Sequence, residues 1–161
     1  MRKILLIEKD IQTVTAISLL LAALGQETLV VHNWPSRIKV LEAEKPLAVI
    51  VDVEMHSVHI DKLADSFPQN TEHSVPLYYL YSRTFAPKFV KAQEYPHSGA
   101  LKKPIQLDEL YLSLEQKIKF KDIPEDGSDY RSKLVSYKKV EHEYTEWVEQ
   151  LNGLLKNRPG R

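Results

Sequence analysis

Short apolar runs alternate with amphipathic stretches through the first 105 residues, and this alternation constrains the fold more than any other feature of the chain. Lys3–Ile7 (KILLI) is apolar throughout, as a buried parallel strand requires. Asp10 is placed to cap a helix over Ile11–Leu24, where Val14, Ile17, Leu20, Leu21 and Leu24 share one face and Gly25 provides the stop. Thr28–His32 reads as a second strand. Asn33 and Pro35 open a short helix with Ile38 and Leu41 facing inward, and Pro46 closes it. Leu47–Val53 (LAVIVDV) is the most hydrophobic strand and carries Asp52 near its carboxyl end. Ile60–Phe67 predicts a short helix, Val75–Tyr81 a strand, Pro87–Glu94 a helix, Ala100–Lys102 a strand and Leu107–Phe120 an amphipathic helix. Repeated strand–helix units of this size predict an α/β fold, a doubly wound five-stranded parallel sheet with helices on both faces.

That pattern occupies residues 1–120 of a 161-residue chain. The segment 121–129 (KDIPEDGSD) combines Pro124, Gly127 and several acids and reads as a linker. Residues 130–157 then predict one C-terminal helix, with Leu134, Tyr137, Tyr144, Val148, Leu151 and Leu155 on a near-heptad stripe, and 158–161 form a frayed tail. The stripe has two readings, packing back on the first domain or pairing as a coiled coil with a second copy or a partner helix. A DNA-binding role is not expected, because no tight pair of helices with a recognition pattern is present.

Composition excludes several classes. With 22 basic and 22 acidic side chains, no net charge draws the chain to nucleic acid or anionic lipid. The absence of cysteine excludes disulfides and thiolate chemistry, and the five isolated glycines cannot form a nucleotide cradle. The most apolar stretch, Val14–Gly25, is too short to cross a bilayer. The opening MRKILLIEKD lacks the pattern of a signal segment. The expectation is a cytoplasmic protein.

In doubly wound sheets, ligands gather at the carboxyl ends of the strands. The polar residues there are Glu8, Lys9 and Asp10 after the first strand, Asp52 to Glu54 at the third, Tyr81 to Arg83 after the fourth, and Lys102 and Lys103 after the fifth. A carboxylate at the end of a central strand can accept a phosphoryl group if a neighbouring carboxylate helps hold Mg²⁺ and a lysine pairs with the phosphate. Glu8, Asp52 and Lys103 supply those three parts.

In this ordered combination the chain resembles the receiver domains of bacterial response regulators. KILLIEKD resembles their opening strand and acidic cluster, AVIVDVEM the strand bearing the phosphorylated aspartate, SVPLYYLYS the strand that ends in a small hydroxyl residue, and GALKKPIQLDEL the Lys-Pro step and last helix. Glu8 to Asp52 spans 44 residues, Asp52 to Tyr81 29 and Tyr81 to Lys103 22, intervals that fit the family. The resemblance covers residues 1–120 and implies a flavodoxin-like strand order 2-1-3-4-5. It implies that Asp52 is the phosphoacceptor, that Lys103 pairs with the phosphate, and that Pro104 follows in a bond often cis. Mg²⁺ is implied at Glu8, Asp52 and the backbone carbonyl of Glu54. The implied partner is a histidine kinase, a phosphotransfer protein or another signalling protein.

The departures from the family are equally specific. Lys9 stands where a second acid is expected, which weakens the metal site. Tyr81 replaces the small hydroxyl residue and Ala100 the switch aromatic, and the loop VEMHSVHI lacks the usual Pro and Gly. Glu54 and Arg83 flank the site and are placed to pair across its mouth. Together these features favour a degenerate receiver, not an enzyme, working through protein–protein contacts. The alternative is a working phosphoacceptor that takes a phosphoryl group on Asp52 and slowly removes it. A flavin-binding relative is disfavoured, because no phosphate-binding loop follows the first strand.

Each residue also has a plainer reading. Asp10 is a helix cap rather than a metal ligand. Lys9 could simply pair with Asp52, and Lys103 could be a surface lysine before a proline. His56 and His59 belong to a solvated loop rather than a metal site. Tyr78, Tyr79 and Tyr81 pack on the sheet faces, and Lys88, Lys91 and Lys102 are solvated charge.

Overall fold

The computed structural model describes residues 2–34, 38, 43–69 and 71–120. These belong to the first of two units into which the chain divides, Met1–Asp122 and Ile123–Arg161. The helix expected between Asn33 and Pro46 falls largely outside the described residues. The linker, C-terminal helix and tail expected over 121–161 lie wholly outside them.

The described elements run β1 (Ile4–Ile7), α1 (Ile11–Ala23), β2 (Thr28–Val31), β3 (Ala48–Asp52), α2 (Ile60–Ser66), β4 (Leu77–Tyr81), α3 (Pro87–Ala92), β5 (Gly99–Lys102) and α4 (Leu107–Glu115). The five strands form one parallel sheet in the order β2-β1-β3-β4-β5. This is the expected flavodoxin-like order. Every residue of β1 and β3 is buried, as central strands covered on both faces must be.

Side-chain alternation divides the core between the two faces. Leu5, Ile7, Val49, Val51 and Tyr79 pack with Leu63 and Phe67 of the α2 segment and with Phe89 and Ala92 of α3. On the other face, the Tyr78 hydroxyl donates to the Ser113 carbonyl of α4 at 2.8 Å. Burial pushes the Tyr78 phenol up to about 12, so it stays a neutral donor at all physiological pH.

Local chemistry sets the element ends. Asp10 caps α1 as expected, accepting from the Thr13 amide at 2.9 Å and the Thr13 hydroxyl at 2.6 Å. At the other end, Gly25 adopts φ 70°, a left-handed conformation that a side chain would strain, and its amide returns to Ala22.

One helix is shorter than its pattern. The apolar spacing predicted helix to Phe120, but α4 ends at Glu115. Ile118 and Phe120 are nevertheless buried, and Phe120 folds back so that its ring meets Tyr111 at 6.0 Å. Burial, which the spacing does report, is satisfied here without helix.

Candidate functional site

The register of the sheet brings the polar strand ends together. Ile7 pairs with Val51, so Glu8 emerges beside Asp52, and Asp52 is itself level with Leu80 of β4. Tyr81 pairs with Lys102, which sets Lys103 just past the end of β5. The Lys103 amide donates to the Tyr81 carbonyl at 2.7 Å, and the Lys103–Pro104 bond is cis.

Lys103 is the cation of the site. Its ammonium lies 2.7 Å from Asp52 Oδ2 and 3.0 Å from Glu8 Oε2. Glu8 is fully buried and Asp52 is 5% exposed, so the two carboxylates need this shared counter-charge. Burial works to lower the Lys103 pKa, but the hydrogen bonds and charges of Asp52 and Glu8 outweigh it and hold the ammonium above the ordinary lysine value. The plain surface-lysine reading of Lys103 is thereby replaced.

The remaining carboxylate oxygens are also engaged. Glu8 Oε1 accepts from the amides of Lys9 and Asp10 at 2.8 and 2.9 Å. Asp52 Oδ1 accepts from the Glu54 amide at 2.9 Å. The fit to a divalent cation is therefore partial, with two carboxylates already bridged by an ammonium. Among the described residues no group of three or more His, Cys, Asp or Glu side chains could hold a metal ion.

Lys9 does not make the bridge that was one reading of it. Its side chain is exposed, and among the described residues Asp52 takes its ion pair from Lys103 instead. Consecutive residues leaving a strand point to opposite sides, so Glu8 turns in and Lys9 turns out.

Tyr81 leaves the strand toward α3. Its ring stacks on Phe89 at 3.8 Å with 9° between planes and packs against the core of that face. Ala100 is exposed on β5 and offers no aromatic group.

Glu54 and Arg83 do pair across the mouth, with Nε 3.3 Å from Oε1. The carboxylate also accepts from the main-chain amides of Ser82 and Arg83. Burial works to raise the Glu54 carboxyl, but these hydrogen bonds prevail and hold it below the ordinary carboxylate range.

The sequence reading missed Lys88. Instead of being solvated, its ammonium donates to the carbonyls of Met55, His56 and Val58, at 2.5, 2.8 and 3.2 Å. It thus gathers the β3–α2 loop, which has no Gly or Pro to shape it. Burial lowers the Lys88 pKa, partly offset by the charge of Asp52. One signal was available, because a lysine beside Pro87 in the first turn of a helix opposes the helix dipole and needs another purpose.

No family model matches the sequence, and no curated protein does. Solved structures do match. The receiver domain of sensor histidine kinase PA1611 from Pseudomonas aeruginosa PAO1, with magnesium coordinated in its active-site cleft, is 20% identical with a TM-score of 0.60, over 72% of this chain and 96% of that one. The chain has the receiver-domain fold. A second receiver domain, from a modulated diguanylate cyclase of Desulfovibrio desulfuricans G20, is 21% identical with a TM-score of 0.59, over 72% of this chain and 92% of that one. A receiver domain protein from Clostridium thermocellum is 19% identical with a TM-score of 0.59, over 73% and 94%. In this receiver fold the Glu8–Lys103–Asp52 cluster sits at the carboxyl ends of β1, β5 and β3.

Proposed function

We propose that the chain is a receiver module of two-component or phosphorelay signalling that acts mainly through protein–protein contact and does not depend on phosphorylation of Asp52. The observation that carries this reading is the Tyr81 ring stacked on Phe89. The end of β4, where the family places a small hydroxyl against the phosphoryl group, holds an aromatic ring committed to the core. A phosphoryl group on Asp52 would meet the Lys103 cation but no such hydroxyl, and no aromatic at Ala100 to register its arrival.

On this reading the partner is a histidine kinase, a phosphotransfer protein or another signalling protein, and the predicted helix 130–157 supports a homodimer. The chain works in the cytoplasm and turns over no separate substrate. No helix among the described residues is long and apolar enough to cross a membrane. Mg²⁺, when bound, would rest weakly on Glu8, Asp52 and the backbone carbonyl of Glu54, and would offset anionic charge at Asp52.

A second reading rests on the Asp52–Lys103 pair. A buried strand-end carboxylate beside a fixed ammonium is the minimum that a phosphoacceptor needs. Intact mass after incubation with Mg²⁺ and a small-molecule phosphodonor separates the two. The proposed function expects no adduct. A stoichiometric phosphoryl adduct, absent in Asp52→Asn, would overturn it in favour of the phosphoacceptor.

A further inference from the structure

The apolar stripe expected over 130–157 carries a charge pattern that burial alone does not call for. These residues lie outside the described ones, in the second unit, Ile123–Arg161, and their sequence is what bears on their partner. A unit of about 40 residues built on one long helix has too little chain to bury such a stripe by itself. Residues 130–139 carry four Lys or Arg and no acid, whereas 140–150 carry four Glu and no Lys or Arg.

The heptad frame turns that pattern into a choice of orientation. Leu134, Glu141 and Val148 fall at a positions, and Tyr137, Tyr144 and Leu151 at d. In a parallel pair each a residue meets its own copy, so two Glu141 carboxylates would share the seam. The flanking g and e positions would also set Lys133 against Lys138 of the second copy on both sides. Both contacts join like charges, and the first does so away from water. An antiparallel pair sets a against d instead. One register then matches Leu134 with Leu151, Tyr137 with Val148 and Glu141 with Tyr144 of the second copy. The acid in the seam gains a phenol donor rather than a second acid. Lys133 and Lys138 no longer oppose each other. Residues 130–139 face 146–155, which carry Glu146 and Glu149 and no Lys or Arg. Two-fold symmetry makes each of these pairs twice.

We propose that 130–157 pairs with a second copy of this chain as an antiparallel coiled coil. Its orientation is set by Glu141 against Tyr144 and by the opposed basic and acidic halves. The inference rests on the homodimer named under the proposed function and adds its orientation.

The native chain has no cysteine, so one introduced cysteine carries one nitroxide. Pulsed dipolar EPR of the full chain, labelled at Ser132→Cys or at His142→Cys, measures the distance between copies. At about 1.5 Å per residue, the antiparallel register sets the two 132 positions about 30 Å apart along the axis and the two 142 positions almost level. The distance at 132 should therefore exceed that at 142 by at least about 10 Å. Equal, short distances at both positions would mean a parallel pair, overturning the proposal but not the homodimer. No dipolar coupling at either position would overturn both, the stripe then being covered by another part of the chain or by a different protein. The phosphodonor assay reads Asp52 alone, so failure there and failure here are distinguishable.

Discussion

The Tyr81 ring lies parallel to that of Phe89, 3.8 Å between centroids. Tyr81 ends β4 beside the candidate site, and Phe89 is the buried centre of α3. The contact therefore ties the strand end to the helix that also carries Lys88. Aromatic pairs add about 1 kcal/mol beyond the area they bury, so a double-mutant cycle of Tyr81→Leu and Phe89→Leu should return a coupling of about 1 kcal/mol. Urea denaturation of the four proteins measures it, and a coupling of zero would remove the stack as the anchor of the β4 end.

Lys103 is the only partner that Asp52 Oδ2 and Glu8 Oε2 share among the described residues. In Lys103→Met both carboxylates lose it while remaining buried. Breaking such a pair costs about 3 kcal/mol, and the loss should show as a lower urea midpoint. Adding Asp52→Asn to Lys103→Met should recover part of it, because one of the stranded charges disappears. A double variant no more stable than Lys103→Met would argue against charge as the cause.

Lys88→Met should loosen the loop after Asp52. Three carbonyls lose their donor, a cost of about 2 kcal/mol given partial access of water to the loop. Hydrogen exchange should quicken over 54–59 and remain unchanged in α1. Unchanged exchange in the loop would mean that Lys88 follows its shape rather than setting it.

The Asp10 cap gives a pH dependence of definite sign. The hydrogen bond from the Thr13 hydroxyl, against a smaller cost of burial, holds the Asp10 carboxyl below its ordinary 3.8. A depressed folded value means that the stabilisation is present above pH 3.8 and is lost as pH falls through the folded value. Asp10→Ala should cost about 1 kcal/mol at neutral pH, and this difference should shrink below pH 4. Denaturation midpoints at neutral pH and near pH 3 check it, and a difference independent of pH would exclude the carboxylate as the source.

Lys9→Asp should raise Mg²⁺ affinity by at least about tenfold, because it replaces a positive charge next to Glu8 with a negative one. Mg²⁺ titration by calorimetry reads the effect. Equal affinity in both chains would mean that Lys9 has no influence on a cation at this site.

Much of this was legible in the chain before folding. Central strands buried on both faces must be apolar throughout, so KILLI and LAVIVDV announce β1 and β3, and helix caps such as Asp10 are local chemistry. The candidate cluster was legible too, since parallel strands deliver Glu8, Asp52 and Lys103 to one end of the sheet. What sequence could not show was which lysine would reach Asp52, or that Lys88 would cross to the β3–α2 loop. It also left open whether Ile118 and Phe120 would be buried by helix or by a folded-back chain.

The sequence by itself determined the α/β class, the order of the elements and the set of polar residues at the strand ends, because periodicity and capping are properties of neighbouring residues. Tertiary structure alone decided that Lys103 rather than Lys9 neutralises Asp52, that Tyr81 turns to Phe89, and that Glu54 and Lys88 hold the loop beside Asp52. Those outcomes join residues tens of positions apart. They depend on strand register and on the direction of each side chain, which no local pattern encodes.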